Sequence, residues 1–422
     1  MSSPTHVATP AAPPEPGLTP RQLIERAAAL RPLLIAEQEQ SARLTRPSDA
    51  VHQACMDAGI YRLYVPRRYG GYEFDAVTYF RVCIELARGD MSAAWGVMLA
   101  AAHALQVGGW FPEQAQDEIF GDGDFRCASV AAPALGREVD GGWELSGKIA
   151  YASGSPLSTH YFGQFAVAGG DGRPSERMLM FVATADQYEI LDDWGRLMGL
   201  RGTGSNTIAF DGARIPRHWT LEGLMVDYEV SDPVPPGVVL HGNPMYGGRA
   251  MGPFTLTLTA LGVGAAYQAL DIYAELMETK MTPLPPYVPR RGDATFQRWF
   301  GQALAQIETA EAAVIGAAQR HMEHCRRSAE EGVPFTYGDD WRVSAISREI
   351  FAQVNAVVQE LLRTVGSSSA TDGSRLERLL ADLAMLQSHR NMVMRDFAYG
   401  EIAREYLGLP RNRAVQNVQN PR

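Results

Sequence analysis

The chain has 422 residues, 46% of them hydrophobic, and a formal net charge of −10. That length allows two or three domains of about 150 residues each, with a core that needs no staples, and the acidic balance argues against nucleic acid or an anionic membrane as the main partner. No apolar run approaches the ~18 residues of a membrane span, no charged-then-apolar leader opens the chain, and four scattered cysteines (Cys55, Cys83, Cys127, Cys325) without a Cys-x-x-Cys spacing suit a reducing cytoplasm and no metal centre.

Residues 1–18, rich in Pro, Ala, Ser and Thr, read as a disordered tail. Thr19-Pro20 then starts a helix, an N-cap followed by Pro at the first helical position. The helical pattern runs on from residue 21 to about 43. Further helices are expected over 48–58, stopping at Gly59, and over 76–88. The next, from Met91 to about Val107, has Asp90 as its cap and is almost wholly apolar, which implies burial. A short helix over 112–120 closes a helical domain of residues 19–122.

From Phe125 to about Trp219 the pattern changes to short strands between Gly and Asp turns, over 143–147, 161–168, 178–183 and 207–210. Asp140-Gly141-Gly142 is a hairpin signal. This β-domain, 123–235, contains Gly199-Leu200-Arg201-Gly202-Thr203-Gly204-Ser205. So many glycines exclude a helix and suit a tight turn with positive φ, or a backbone pressed against a ligand.

Helices return in 236–422: residues 254–279, 293–327, 341–365 and 375–407 suggest a four-helix bundle. The Pro- and Gly-rich stretch 233–252, with Tyr246-Gly247-Gly248-Arg249, reads as a lid or substrate loop. The class is therefore α+β, helical then β then helical, not alternating βαβ. No Gly-x-Gly-x-x-Gly opens a helix after a strand, so no separate nicotinamide site is visible.

Several segments occur in an order that resembles the acyl-CoA dehydrogenase fold. They are Ala58-Gly59-Ile60-Tyr61 through Tyr69-Gly70-Gly71, Gly142 to Lys148 followed by Ala152-Ser153-Gly154, Gly199 to Ser205 followed by Ile215-Pro216, and Arg298-Trp299-Phe300-Gly301. Within that fold the chain resembles the oxygenase components of two-component flavin monooxygenases of the 4-hydroxyphenylacetate hydroxylase type. Arg378, Asp382 and His389 match that group's Arg…Asp…His pattern, with a departure at Ala381. A dehydrogenase needs a carboxylate base over the flavin. The nearest stretch here, Tyr399-Gly400-Glu401, has altered order, and Glu401 reads as a helix-surface residue.

The resemblance implies a reduced-flavin-dependent monooxygenase. FMNH2 or FADH2 would come from a separate flavin reductase, with O2 as co-substrate. A C4a-hydroperoxyflavin would then hydroxylate an aromatic, phenolic substrate inside a homotetramer. It assigns catalysis to His389, His103 and Ser153, substrate binding to His103 and Ser129, and flavin binding to Trp95, Ser129, Ser153, Arg201, Thr203, Ser205 and Arg298, the last across a subunit boundary. Three other readings stay open: an FAD-dependent acyl-CoA dehydrogenase, an N- or S-oxygenase on the same scaffold, and a silent binding subunit. On residues alone, His389 lies on an apolar helix, where a core histidine bonded to backbone is the plainer reading. His103 amid small apolar residues must find a partner or stay neutral. His321 and His324, i and i+3 beside Cys325, read as a solvated helix face, since no His has Glu three positions earlier.

Overall fold

The computed structural model describes residues 12–121 and 123–411. Among the described residues the N-terminal part has six α-helices: α1 (Pro20–Ala29), α2 (Arg31–Leu44), α3 (Asp49–Asp57), α4 (Ala76–Ala102), α5 (Ala104–Trp110) and α6 (Glu113–Phe120). Thr19 and Gln22 cap α1 reciprocally. The single helix expected over 21–43 divides at Leu30, because Pro32 falls in the first turn of α2. Helix α4 changes direction at Asp90 (φ −155°, ψ 107°). Asp90 Oδ1 accepts the N–H groups of Ser92 and Ala93 at 2.9 and 3.3 Å and so caps the second half, as its position in the sequence implies.

Seven strands follow: β1 (Cys127–Val139), β2 (Gly142–Ala152), β3 (His160–Ala168), β4 (Pro174–Thr184), β5 (Glu189–Ile190), β6 (Asn206–Pro216) and β7 (Thr220–Glu222). Their order is β5-β6-β2-β1-β3-β4-β7. Only β1 and β3 run parallel, and β1 and β2 form the hairpin signalled by Asp140-Gly141. Three strands separate β6 from β4, yet the rings of Phe210 and Phe181 lie 5.6 Å apart. The sheet therefore curls around an aromatic core that includes Tyr161.

The C-terminal part holds α7 (Pro236–His241), α8 (Met251–Thr279), α9 (Ala294–Glu331), α10 (Tyr337–Val365), α11 (Arg375–Gln387), α12 (Arg390–Val393) and α13 (Arg395–Tyr406). Helix α8 is buried on nearly every side, as a helix apolar all round must be, and packs on α4, α9, α10 and α11. The fourth helix expected over 375–407 is three, broken at Ser388-His389 and at Met394. Residues 233–252 are anchored rather than free-standing. Tyr246 is buried, and the Arg249 guanidinium donates to the carbonyls of Phe335 and Tyr228 and to Glu229. Of the expected tail, residues 1–11 lie outside the described residues, while Leu18 is buried and Glu15 pairs with Arg26 at 2.7 Å.

All four cysteines are free and buried. Burial pushes the Cys55 thiol up to about 12 and raises the other three as well. His321 is buried too, with Cys325 Sγ 3.6 Å from its Nε2. The solvated-face reading is thus corrected for His321, and also for Glu401, which is 5% exposed on α13 beside Tyr337.

The glycine-rich stretch forms one 3₁₀ turn, Arg201–Thr203, flanked by Leu200 at φ 54° and Gly204 at φ 61°. It wedges between α4 and α11. A Cβ at Gly199 would lie 2.3 Å from the Ala381 carbonyl, and one at Gly96 would lie 2.6 Å from the Thr203 carbonyl oxygen. Gly199→Ala should lower unfolding free energy by about 1–3 kcal/mol, the usual range for overpacking. Urea denaturation that leaves the midpoint unchanged would show that the turn and α11 separate freely.

Candidate active site

The turn brings four of the expected residues into one chain of hydrogen bonds. Trp95 Nε1 donates to Ser153 Oγ at 3.1 Å, Ser153 Oγ lies 2.8 Å from Ser205 Oγ, and Ser205 Oγ lies 2.6 Å from Thr203 Oγ1. Thr203 Oγ1 then donates to the Leu200 carbonyl at 3.0 Å. A carbonyl only accepts, so the polarity of the chain is fixed from that end. Ser205 donates to Thr203, and Ser153 donates to Ser205. Each serine hydrogen is committed, and what the oxygens retain is lone pairs.

His389 completes this wall, its ring meeting Trp95 edge-on at 5.5 Å. The sequence reading places it within an apolar helix. The structure places it in the break before α12, as that helix's N-cap, where Nδ1 accepts the Asn391 N–H at 3.2 Å. Burial, with a smaller contribution from Arg390, lowers its pKa to about 4. The ring is therefore neutral at pH 7, and because Nδ1 accepts, the hydrogen sits on Nε2. Arg348 holds this turn from behind. Its Nε donates to the Asn391 carbonyl at 2.7 Å, a second nitrogen to Asn391 Oδ1, and a third to Ser344 Oγ at 2.5 Å. Sequence reasoning missed Arg348 and Asn391, because nothing in the pattern of α10 marks a buried guanidinium whose partners are carbonyls.

His103, between α4 and α5, has the opposite tautomer. Its Nδ1 lies 2.7 Å from the Cys127 carbonyl oxygen, so Nδ1 carries the hydrogen and Nε2 a lone pair. Burial lowers its pKa to about 4. His103 lines a narrow cavity with Tyr64, Leu99, Gln106, Met225 and Phe254. The free space is about 30 Å³, that of one water, so a larger guest requires the walls to part. Met225 lies outside any helix or strand, its N–H donating to the buried Gln164 Oε1 at 2.7 Å. The Ser129 backbone bridges that of Ser153, linking the cavity side to the hydroxyl chain.

Two expected residues stand apart. The Arg201 side chain is exposed and folds back, donating to the Leu197 carbonyl at 2.8 Å. Arg298 is exposed on the second turn of α9, with no hydrogen bond to the wall among the described residues. Behind the turn, the Leu200 N–H donates to Asp382 Oδ1 at 2.5 Å. Burial, then the charge of Asp90, pushes the Asp382 carboxyl up to about 8, and burial raises Asp90 to about 6.

Comparison with known proteins identifies the fold. Residues 21–114 match the acyl-CoA dehydrogenase N-terminal domain, and residues 256–394 match the acyl-CoA dehydrogenase C-terminal domain. The chain belongs to the acyl-CoA dehydrogenase fold family. Among its relatives is the flavin-dependent monooxygenase oxygenase subunit HsaA of Rhodococcus jostii, 29% identical over 85% of this chain and 91% of that one. The p-hydroxyphenylacetate 3-hydroxylase oxygenase component of Acinetobacter baumannii is 23% identical over 89% and 86%. The structure of XiaF from a Streptomyces species, in complex with FADH2 and glycerol, shares this acyl-CoA dehydrogenase fold at a TM-score of 0.83 and 23% identity, covering 93% of this chain and 96% of that one.

The buried carboxyl gives a pH signature. With a folded value near 8 against 3.8 for the free group, Asp382 holds a proton in the fold that the unfolded chain releases. Stability contributed here falls as pH rises from about 4 to about 8. Asp382→Asn should therefore gain stability relative to the parent as pH goes from 5 to 8. Parallel unfolding curves at both pH values would contradict the assignment.

Proposed function

We propose that this protein is the oxygenase component of a two-component, reduced-flavin-dependent monooxygenase that hydroxylates a phenolic substrate. The observation that carries the reading is the wall formed by Trp95, Ser153, Ser205, Thr203 and His389, all neutral and all polarised by fixed hydrogen bonds. The donor set fits a flavin: an indole, hydroxyl oxygens with free lone pairs and one imidazole N–H. Reduced flavin, when bound, supplies the electrons that activate O2 for insertion of one oxygen atom into the substrate.

The residues divide the remaining work. Ser153, its hydrogen committed, can only accept. Reduced isoalloxazine offers N–H groups that the oxidised ring lacks, so the hydroxyl chain favours the reduced form. Ser129, Thr203 and Ser205 support this face, and Arg201 borders it. His389 presents Nε2–H as a donor and, being neutral, does not release a proton into the site at pH 7. His103 Nε2 accepts the substrate hydroxyl hydrogen, which raises electron density on the ring and favours electrophilic oxygen transfer. The apolar second half of α4 keeps water out of the site, the condition under which oxygen insertion would outcompete release of hydrogen peroxide.

On this reading FMNH2 or FADH2 arrives from a separate flavin reductase. The protein works as a cytoplasmic homotetramer, and Arg298 reaches the flavin phosphate of a neighbouring subunit. The divisions 19–122, 123–235 and 236–422 are its domains. No helix among the described residues is long and apolar enough to cross a membrane.

Two experiments test this. With reduced flavin, labelled O2 and a phenol, the protein should place one labelled oxygen in the product. His389→Ala should cut product by about 100-fold or more and raise hydrogen peroxide correspondingly, whereas an unchanged product-to-peroxide ratio would remove His389 from the chemistry. Ser205→Ala frees the Ser153 hydrogen to donate, so the preference for reduced over oxidised flavin should fall about 10-fold, the effect of one hydrogen bond. Equal preference in parent and variant would refute the fixed polarity.

A further inference from the structure

The cavity beside His103 carries two polar groups that the fold leaves without partners. Tyr64 is 2% exposed and Gln106 9% exposed; both line the cavity, and neither Tyr64 Oη nor Gln106 Oε1 has a hydrogen-bond partner. A buried polar atom without a partner costs free energy, and native folds satisfy nearly all of them. The other hydroxyls of the cavity are satisfied. Tyr79 Oη donates to the Met98 carbonyl at 3.0 Å and Thr257 Oγ1 to the Pro253 carbonyl at 2.9 Å. The Tyr64 ring is also fixed in place, stacked on Tyr79 at 4.7 Å.

The charge of the lining is equally informative. Among the described residues of the cavity wall there is no Lys, Arg, Asp or Glu. A carboxylate entering it would lose its hydration with no cation to meet it, a cost of several kcal/mol before any contact forms. A neutral group that both donates and accepts, such as a carboxamide or an alcohol, satisfies the Tyr64 hydroxyl and the Gln106 amide together.

We infer that the substrate is an uncharged phenol bearing a second neutral hydrogen-bonding group, read by Tyr64 and Gln106 while His103 takes the phenolic hydroxyl. This deepens the proposed function and rests on it for the chemistry, but the recognition is testable by binding alone. Tyr64 and Gln106 are then specificity residues, distinct from His389 and the serine chain. The relative that acts on p-hydroxyphenylacetate has a carboxylate substrate by its name. The prediction is that this chain rejects that compound.

The test uses three matched probes: 4-ethylphenol, 4-hydroxyphenylacetamide and 4-hydroxyphenylacetate. Each is titrated calorimetrically into the full-length protein under anaerobic conditions, with and without FMNH2. The amide should bind about 10-fold more tightly than 4-ethylphenol, the effect of one satisfied hydrogen bond, and at least about 100-fold more tightly than the carboxylate, the effect of an uncompensated desolvation. Tyr64→Phe and Gln106→Met should each bring the amide to within about twofold of 4-ethylphenol, leave 4-ethylphenol unchanged and leave the melting temperature unlowered. A preference for the carboxylate, an amide preference that survives both variants, or binding of none of the three would overturn the inference. Survival in both variants would mean that the two orphan atoms share only a trapped water. Product formation from the same probes is read separately: selective binding without product would sink the proposed reaction and keep the recognition.

Discussion

Everything near the site depends on how closely three backbones approach at one turn. The Thr203 carbonyl sits against Gly96 of α4, and Gly199 sits against the Ala381 carbonyl of α11, at distances that admit no side chain at either glycine. Gly204 N–H donates to the Thr45 carbonyl at 2.9 Å, which ties the same turn to the end of α2. Helices and sheet are thereby fixed to one another through main chain rather than through adaptable side chains. Trp95 lies one residue before Gly96, and Ser205 lies one residue after Gly204. The ends of the hydroxyl chain therefore sit next to the two glycine contacts. Interiors packed at this density transmit small shifts rather than absorbing them.

Charge is kept out of the candidate site. Both imidazoles are neutral, with opposite tautomers set by one backbone N–H and one backbone carbonyl. The ionisable groups that hold the frame, Asp90, Asp382 and Arg348, bond to backbone on the far side of the turn or of His389. A site made of fixed dipoles needs little reorganisation when charge develops, which is where most electrostatic stabilisation of a transition state originates. The cavity beside His103 shares this neutrality, with no Lys, Arg, Asp or Glu among the described residues of its wall.

Much of the architecture was legible because it rests on local rules. The Thr19-Pro20 start, the Asp90 cap and the Asp140-Gly141 hairpin each follow from one or two residues. The fold and the reaction class came through the resemblance carried by ordered segments, which the family matches and relatives bear out. Where local periodicity was extended too far, the structure departs from it. The apolar repeat around His389 continues across a break whose far side Arg348, from α10, holds by bonding Asn391. The burial of His321 and Glu401 was equally invisible, since α9 and α13 are polar enough to read as solvated until their neighbours are in place. Tyr64 and Gln106 carry no motif at all. Their significance is an absence of partners, a property of three-dimensional packing and not of sequence order.

The buried cysteines acquire a meaning in this light. An enzyme that activates O2 in a closed site releases some hydrogen peroxide whenever transfer fails, and peroxide attacks thiolates far faster than thiols. Each cysteine here is both sealed from solvent and held protonated, the Cys55 thiol up to about 12. The oxidant that escapes the cavity therefore meets no accessible thiolate. The packing that stabilises the helical core also gives the catalyst a measure of resistance to inactivation by its own side reaction, so that its working lifetime is not set by its cysteines.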